Sequence, residues 1–200
     1  SHSGPCSQRD FTSGSMMHDT SQAHSHGQLR ESVATLAGVL RARGEHLSCA
    51  ESCTGGLLSA RIAALSGVSD VYVGSVIAYS NQVKTGLLGV PESLIRQVGA
   101  VSTSVAEAMA HGVRKRIGTE WGISITGVAG PSGGTLHKPV GTVCFAVSGP
   151  GVEWSTMMRF DGDREAIQEQ SAHYAIVILN AALGAGLDGL NTAFGPRTGL

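Results

Sequence analysis

The sequence predicts an α/β domain, a three-layer α/β/α sandwich around a mixed sheet that includes one antiparallel hairpin. Three observations carry the prediction. Helical apolar periods alternate along the chain with short apolar or β-branched runs. Two such runs, 140–148 and 153–160, are joined at Gly149, Pro150 and Gly151, a link short enough for a hairpin. Glycine-bearing turns follow the other strands, and in open α/β sheets ligands bind where such loops gather, at the carboxyl ends of strands.

A chain of 200 residues suits one domain with core enough to fold without disulfides. Its net charge of −1 and the lack of a basic or aromatic-plus-basic stripe argue against a nucleic-acid binder. No apolar stretch approaches a membrane span and residues 1–28 hold no secretory apolar core, so no membrane partner is expected. The four cysteines, Cys6, Cys49, Cys53 and Cys144, form no C-x-x-C pair, which fits reduced thiols in a cytoplasm.

Residues 1–28 are polar, rich in Ser, His and Gly, and read as a disordered tail; His18, His24 and His26 there lack the ligand framework of a metal site. Leu29, Val33, Leu36 and Leu40 make one stripe of a helix that stops at Gly44. A buried strand follows at 46–50, then a turn through Ser52, Cys53, Thr54, Gly55 and Gly56 into a helix with Leu58, Ile62 and Leu65 on one face. Residues 71–80 are β-rich, with Gly74 as a bulge candidate. A short helix over 82–88 carries Lys84, and Pro91 opens another. Ser104 with Glu107 reads as the capping box of a helix to about residue 117. The strand 121–126 leads into a glycine-rich loop, 127–139, and then the hairpin. Asp163 caps a last helix with Ile167, Tyr174, Ile178 and Ala181 on one face, and residues 184–200 read as a flexible tail.

The turns at 51–56, 79–84 and 126–134 share the loop end of the predicted sheet and are expected to converge. They would bring together Ser52, Tyr79, Lys84, Thr126 and the glycine-rich loop. No G-x-S-x-G elbow or well-placed histidine suggests a Ser-His-Asp triad. A serine can instead be activated by a lysine kept neutral through desolvation, and Lys84 is the best placed of Lys84, Lys115 and Lys138. The loop's glycines free backbone N–H groups for an anion, and Arg164 at a helix start can meet a phosphate.

A-E-S-C-T-G-G (50–56), Y-S-N-x-x-K (79–84), G-A-V-S (99–102), T-G-V-A-G-P-S-G-G (126–134), K-P-V-G-T-V (138–143) and G-D-R (162–164) together resemble the CinA C-terminal domain family, over about residues 29–183. The resemblance implies an amidohydrolase acting on a linear amide: nicotinamide mononucleotide plus water gives nicotinic acid mononucleotide and ammonia. It implies no cofactor and no metal, a homodimer, and the stand-alone form without the second, molybdopterin-binding-like domain of many family members. Carried over by position, Ser52 is the nucleophile and Tyr79 and Lys84 its partners, with Tyr79 bridging lysine and serine. Thr54, Gly55, Gly56, Thr126, Gly127, Gly130 and Arg164 are assigned to substrate binding. The alternative is a non-catalytic nucleotide-binding module, or an interaction module tied to competence or DNA damage.

Overall fold

The computed structural model describes residues 16–198, with side chains from residue 25 onward. The disorder expected over 1–15 and 199–200, and the side chains of Cys6, His18 and His24, lie outside the described residues. Helix α1, Met16–Arg43, begins well before the expected start at Gly27 and takes in residues 16–28 of the tail expected to be disordered. Only Gly27 interrupts helix-compatible sequence ahead of the anchoring stripe, so the helix runs on with residues 25–28 exposed to solvent. The stripe itself is buried as expected at Leu29, Val33, Leu36 and Leu40, and Gly44 follows at φ 66°.

Five strands form one sheet: β1 Leu47–Glu51, β2 Tyr72–Ile77, β3 Trp121–Gly127, β4 Thr142–Gly149 and β5 Val152–Arg159, in the order β2-β1-β3-β4-β5. β1 pairs parallel with β2 and β3, while β3–β4 and β4–β5 are antiparallel, so the sheet is mixed and the hairpin is β4–β5. The register of β1 against β2 slips between Leu47, opposite Tyr72, and Ser48, opposite Gly74, where the sequence suggests a bulge.

Helices cover both faces. One face carries α1, α2 (Leu57–Ala63) and α6 (Arg164–Phe194), packed over Leu47, Cys49, Ile123, Ile125, Phe145 and Val147. The other carries α3 (Asn81–Leu88), α4 (Glu92–Val98) and α5 (Thr103–Ile117), over Ala50, Ala78 and the Cys144–Ala146 side of β4. α5 approaches α3 so closely that a Cβ on Gly112 would lie 1.9 Å from the Leu88 carbonyl oxygen. The cap of α5 is Ser102, which accepts from the Val105 amide at 3.2 Å, and not Ser104. Thr103 is already helical, so the box sits one pair of residues too late, and Glu107 instead accepts from Ser155 and pairs with Arg197.

α6 continues to Phe194 through a break at Ala185 and Gly186, where a frayed tail is expected from 184. The reason is a second set of contacts. Leu190 is buried, Phe194 packs on Trp154 and Tyr174 with ring centroids 5.7 and 5.5 Å apart, and the Thr198 amide donates to the Ser155 carbonyl on the outer strand. α6 is also long and apolar enough to cross a membrane, contrary to the composition reading. Here Ile167, Ala172, Ile176, Ile178 and Leu179 bury that apolar surface in the core.

Candidate functional site

The site begins with the alternation of β1. Successive side chains of a strand point to opposite faces. Cys49 enters the core under α1, α2 and α6, and Ala50 the core under α3–α5. Glu51 therefore points toward α2 and Ser52 toward α3. The backbone is pinned on both sides: the Ser52 amide donates to the Ile125 carbonyl of β3 at 2.9 Å, and the Ala78 amide beyond β2 donates to the Glu51 carbonyl at 2.7 Å.

Lys84 reaches Ser52 from α3. Ser80 caps that helix, accepting from the Val83 amide at 3.2 Å, so Lys84 falls in the first turn and points inward. Its Nζ donates to Ser52 Oγ at 2.9 Å, to the Ala78 carbonyl at 2.9 Å and to the Tyr79 carbonyl at 3.4 Å. Lys84 is 2% exposed and Ser52 7%. Burial holds the Lys84 amine below the usual lysine range, because desolvation disfavours the ammonium. A neutral amine has two N–H groups and one lone pair. The two carbonyls can take the N–H groups, which leaves the lone pair facing the Ser52 hydroxyl. Cys53, beside the serine, is 6% exposed and its thiol is pushed up to about 12 by burial, so it stays protonated and is no competing nucleophile.

Ser52 opens outward onto a cleft of about 340 Å³ lined by Cys53, Tyr79, Gly127, Val128, Gly130 and Arg164, among others. The three expected turns do converge here. Tyr79, however, does not bridge lysine and serine. It is 59% exposed, its hydroxyl accepts from the Arg164 guanidinium at 2.7 Å, and only its backbone carbonyl meets Lys84. The strand ends before Tyr79, and the extended residues that follow swing its ring to the mouth of the cleft. Arg164, in the first turn of α6, also donates to the Gly130 carbonyl at 2.7 Å, so one guanidinium ties the rim to the glycine-rich loop.

Not every expected binding residue faces the cleft. The Thr126 hydroxyl is buried and donates to the Ala100 carbonyl at 3.0 Å, and Thr54 donates to Glu51 at 2.6 Å. Both are engaged in holding loops. Gly55 and Gly56 adopt φ of 59° and 107°, which lets the chain turn sharply into α2. The start of α2 is not open to an anion either, because the Leu58 and Ser59 amides donate to Glu51. Gly127 and Gly130 line the cleft as expected, and a Cβ on Gly130 would lie 2.5 Å from Val140. Sequence reasoning missed Gln168, which donates to the Cys53 carbonyl at 2.9 Å from across α6. Only the helical spacing of Gln168 from Arg164 hinted at it.

The CinA C-terminal domain model matches residues 29–183. CinA-like proteins of Desulfotalea psychrophila and a Nostoc species are 45% and 48% identical over 80% and 79% of this chain. The chain spans about two fifths of their length, 39% and 40%. A competence-damaged protein (CinA) superfamily structure from Klebsiella pneumoniae superposes with a TM-score of 0.75 at 35% identity, over 78% of this chain and 98% of that one.

Proposed function

This chain belongs to the CinA C-terminal domain family, and from that premise we propose that it is an amidohydrolase that cleaves the carboxamide of nicotinamide mononucleotide, releasing ammonia and nicotinic acid mononucleotide. The observation that carries the reading is the 2.9 Å contact between Lys84 Nζ and Ser52 Oγ at the floor of an open cleft. A buried amine with a lowered pKa is a general base in reach of the hydroxyl proton.

In the proposed cycle Lys84 takes the Ser52 proton as Oγ attacks the carboxamide carbon. The backbone amide of Cys53, which lines the cleft beside Ser52, is the donor proposed for the oxyanion, a contact worth about 3 kcal/mol in comparable sites. Lys84 returns the proton to the departing nitrogen, and ammonia leaves. Water then adds to the acyl-enzyme with Lys84 again as base, freeing the acid and Ser52. Arg164 and the backbone of the 127–133 loop, which line the same cleft, are proposed to hold the 5′-phosphate. Tyr79, reassigned from proton relay, is proposed to line the mouth, with its ring against the substrate and its hydroxyl fixed by Arg164.

The test is ammonia release from nicotinamide mononucleotide. Wild type is expected to turn over and Ser52→Ala to lose at least about a thousandfold in kcat. Binding of the nucleotide without any ammonia would instead favour a nucleotide-binding module.

A further inference from the structure

The Glu51 carboxylate is fully buried and forms no ion pair among the described residues. Oε1 accepts from the Thr54 hydroxyl at 2.6 Å and the Leu58 amide at 2.9 Å. Oε2 accepts from the Ser59 amide at 2.9 Å and from the Ser59 hydroxyl. A buried carboxyl group is costly unless its oxygens are hydrogen-bonded, and here each oxygen has two donors. Were the start of α2 all that needed capping, a Ser, Thr or Asp at the N-cap would serve. The N-cap position is Gly56, with no side-chain cap. The acid sits instead on the last residue of β1 and reaches across the whole turn to the helix.

The consequence is a closed frame around Ser52. On one side the Glu51 side chain fixes Thr54, Leu58 and Ser59. On the other the Glu51 carbonyl accepts from the Ala78 amide, and the Ala78 carbonyl accepts from Lys84 Nζ, which meets Ser52 Oγ. The Glu51 side chain thus anchors the nucleophile's turn, while its backbone carbonyl, a bond that any residue at 51 would make, ties that turn to the strand exit whose carbonyl orients the base. We infer that Glu51 is the positioning residue of the Ser52 nucleophile, holding its hydroxyl on Lys84 without touching substrate; this rests on the hydrolase reading above. Both carboxylate oxygens must be acceptors. Glutamine would set an NH₂ group against the Leu58 or Ser59 N–H and loosen the turn.

The experiment follows sulfonylation of Ser52 by phenylmethylsulfonyl fluoride, read by intact-protein mass spectrometry. Ser52 Oγ bonds to sulfur, the S–F bond breaks, fluoride leaves and Lys84 takes the proton. Rates are compared for wild type, Glu51→Gln, Glu51→Asp and Thr54→Val, with Ser52→Ala as blank, well below each protein's melting temperature. Glu51→Gln is expected to react at least about tenfold more slowly while folded, since small misplacement of a reacting group is costly in rate. Glu51→Asp should recover part of the rate, and Thr54→Val, which removes one bond to Oε1, should show a smaller loss. A folded Glu51→Gln labelled at the wild-type rate overturns the inference. If that variant does not fold, wild-type rates in both Glu51→Asp and Thr54→Val overturn it. A wild type that neither takes the sulfonyl group nor releases ammonia overturns the hydrolase reading, and the inference with it.

Discussion

Ser52 and Lys84 derive their relation from burial. Nothing in the isolated lysine distinguishes it from a surface cation with a pKa near ~10.4. Once α3 carries it under the sheet edge, desolvation lowers that pKa and the neutral form becomes accessible. In the proposed mechanism the neutral amine is the base, so kcat/KM should rise with pH through a midpoint below the ordinary lysine range, and Lys84→Arg, which stays charged, should be inactive at every pH. The same shift has a stability sign. Between the lowered folded value and the unfolded value, the unfolded chain binds the proton more readily. Stability therefore gains with pH through that window, and the gain should vanish in Lys84→Met when urea midpoints are compared across pH. At this scale the sequence was partly legible. Ser52 and Lys84 stood out because each closes a strand exit, and the structure puts them in contact. Tyr79 was misread because its role depends on where the chain bends after β2, and Thr126 and Thr54 because a hydroxyl's partner cannot be read from spacing.

Among elements, the contact that sets the site is α3 against α5. Gly112 lies in the interior of α5, where alanine would ordinarily stabilise a helix by about 1 kcal/mol. Here the sign should reverse, because a Cβ would meet the Leu88 carbonyl oxygen at 1.9 Å. Gly112→Ala is expected to lower stability by about 2 kcal/mol, or a Tm drop of about 4–8 °C in thermal unfolding. It should also reduce turnover, since α3 carries Lys84. The helices and strands were legible from apolar period, as Leu29, Val33, Leu36 and Leu40 illustrate. Their ends were less so. A cap depends on which hydroxyl faces a free amide, and Ser102 and Ser104 offer the same chemistry.

The described residues form a central sheet whose outer strand is covered by the segment 194–198. The family match stops at 183, yet residues up to 198 dock on β5 and α5 through Phe194, Gly195, Arg197 and Thr198. That segment covers an edge that would otherwise present unpaired backbone groups. Phe194→Ala is expected to cost about 1–3 kcal/mol, seen as a lower Tm, with kcat within about twofold of wild type. The sequence showed no sign of this closure, because glycine-rich, weakly periodic residues fold there only against a surface contributed by β5. The mixed three-layer architecture, in contrast, followed from the alternation of periods and the short 149–151 link.

The central claim, that Ser52 and Lys84 act as one chemical unit, is tested most directly by measuring kcat/KM for ammonia release from nicotinamide mononucleotide in Ser52→Ala, Lys84→Ala and the double variant. Groups that act together are strongly non-additive. The account predicts a loss of at least about a thousandfold in each single variant and no further loss in the double. Either single variant within about tenfold of wild type, or single losses that multiply in the double variant, would contradict it.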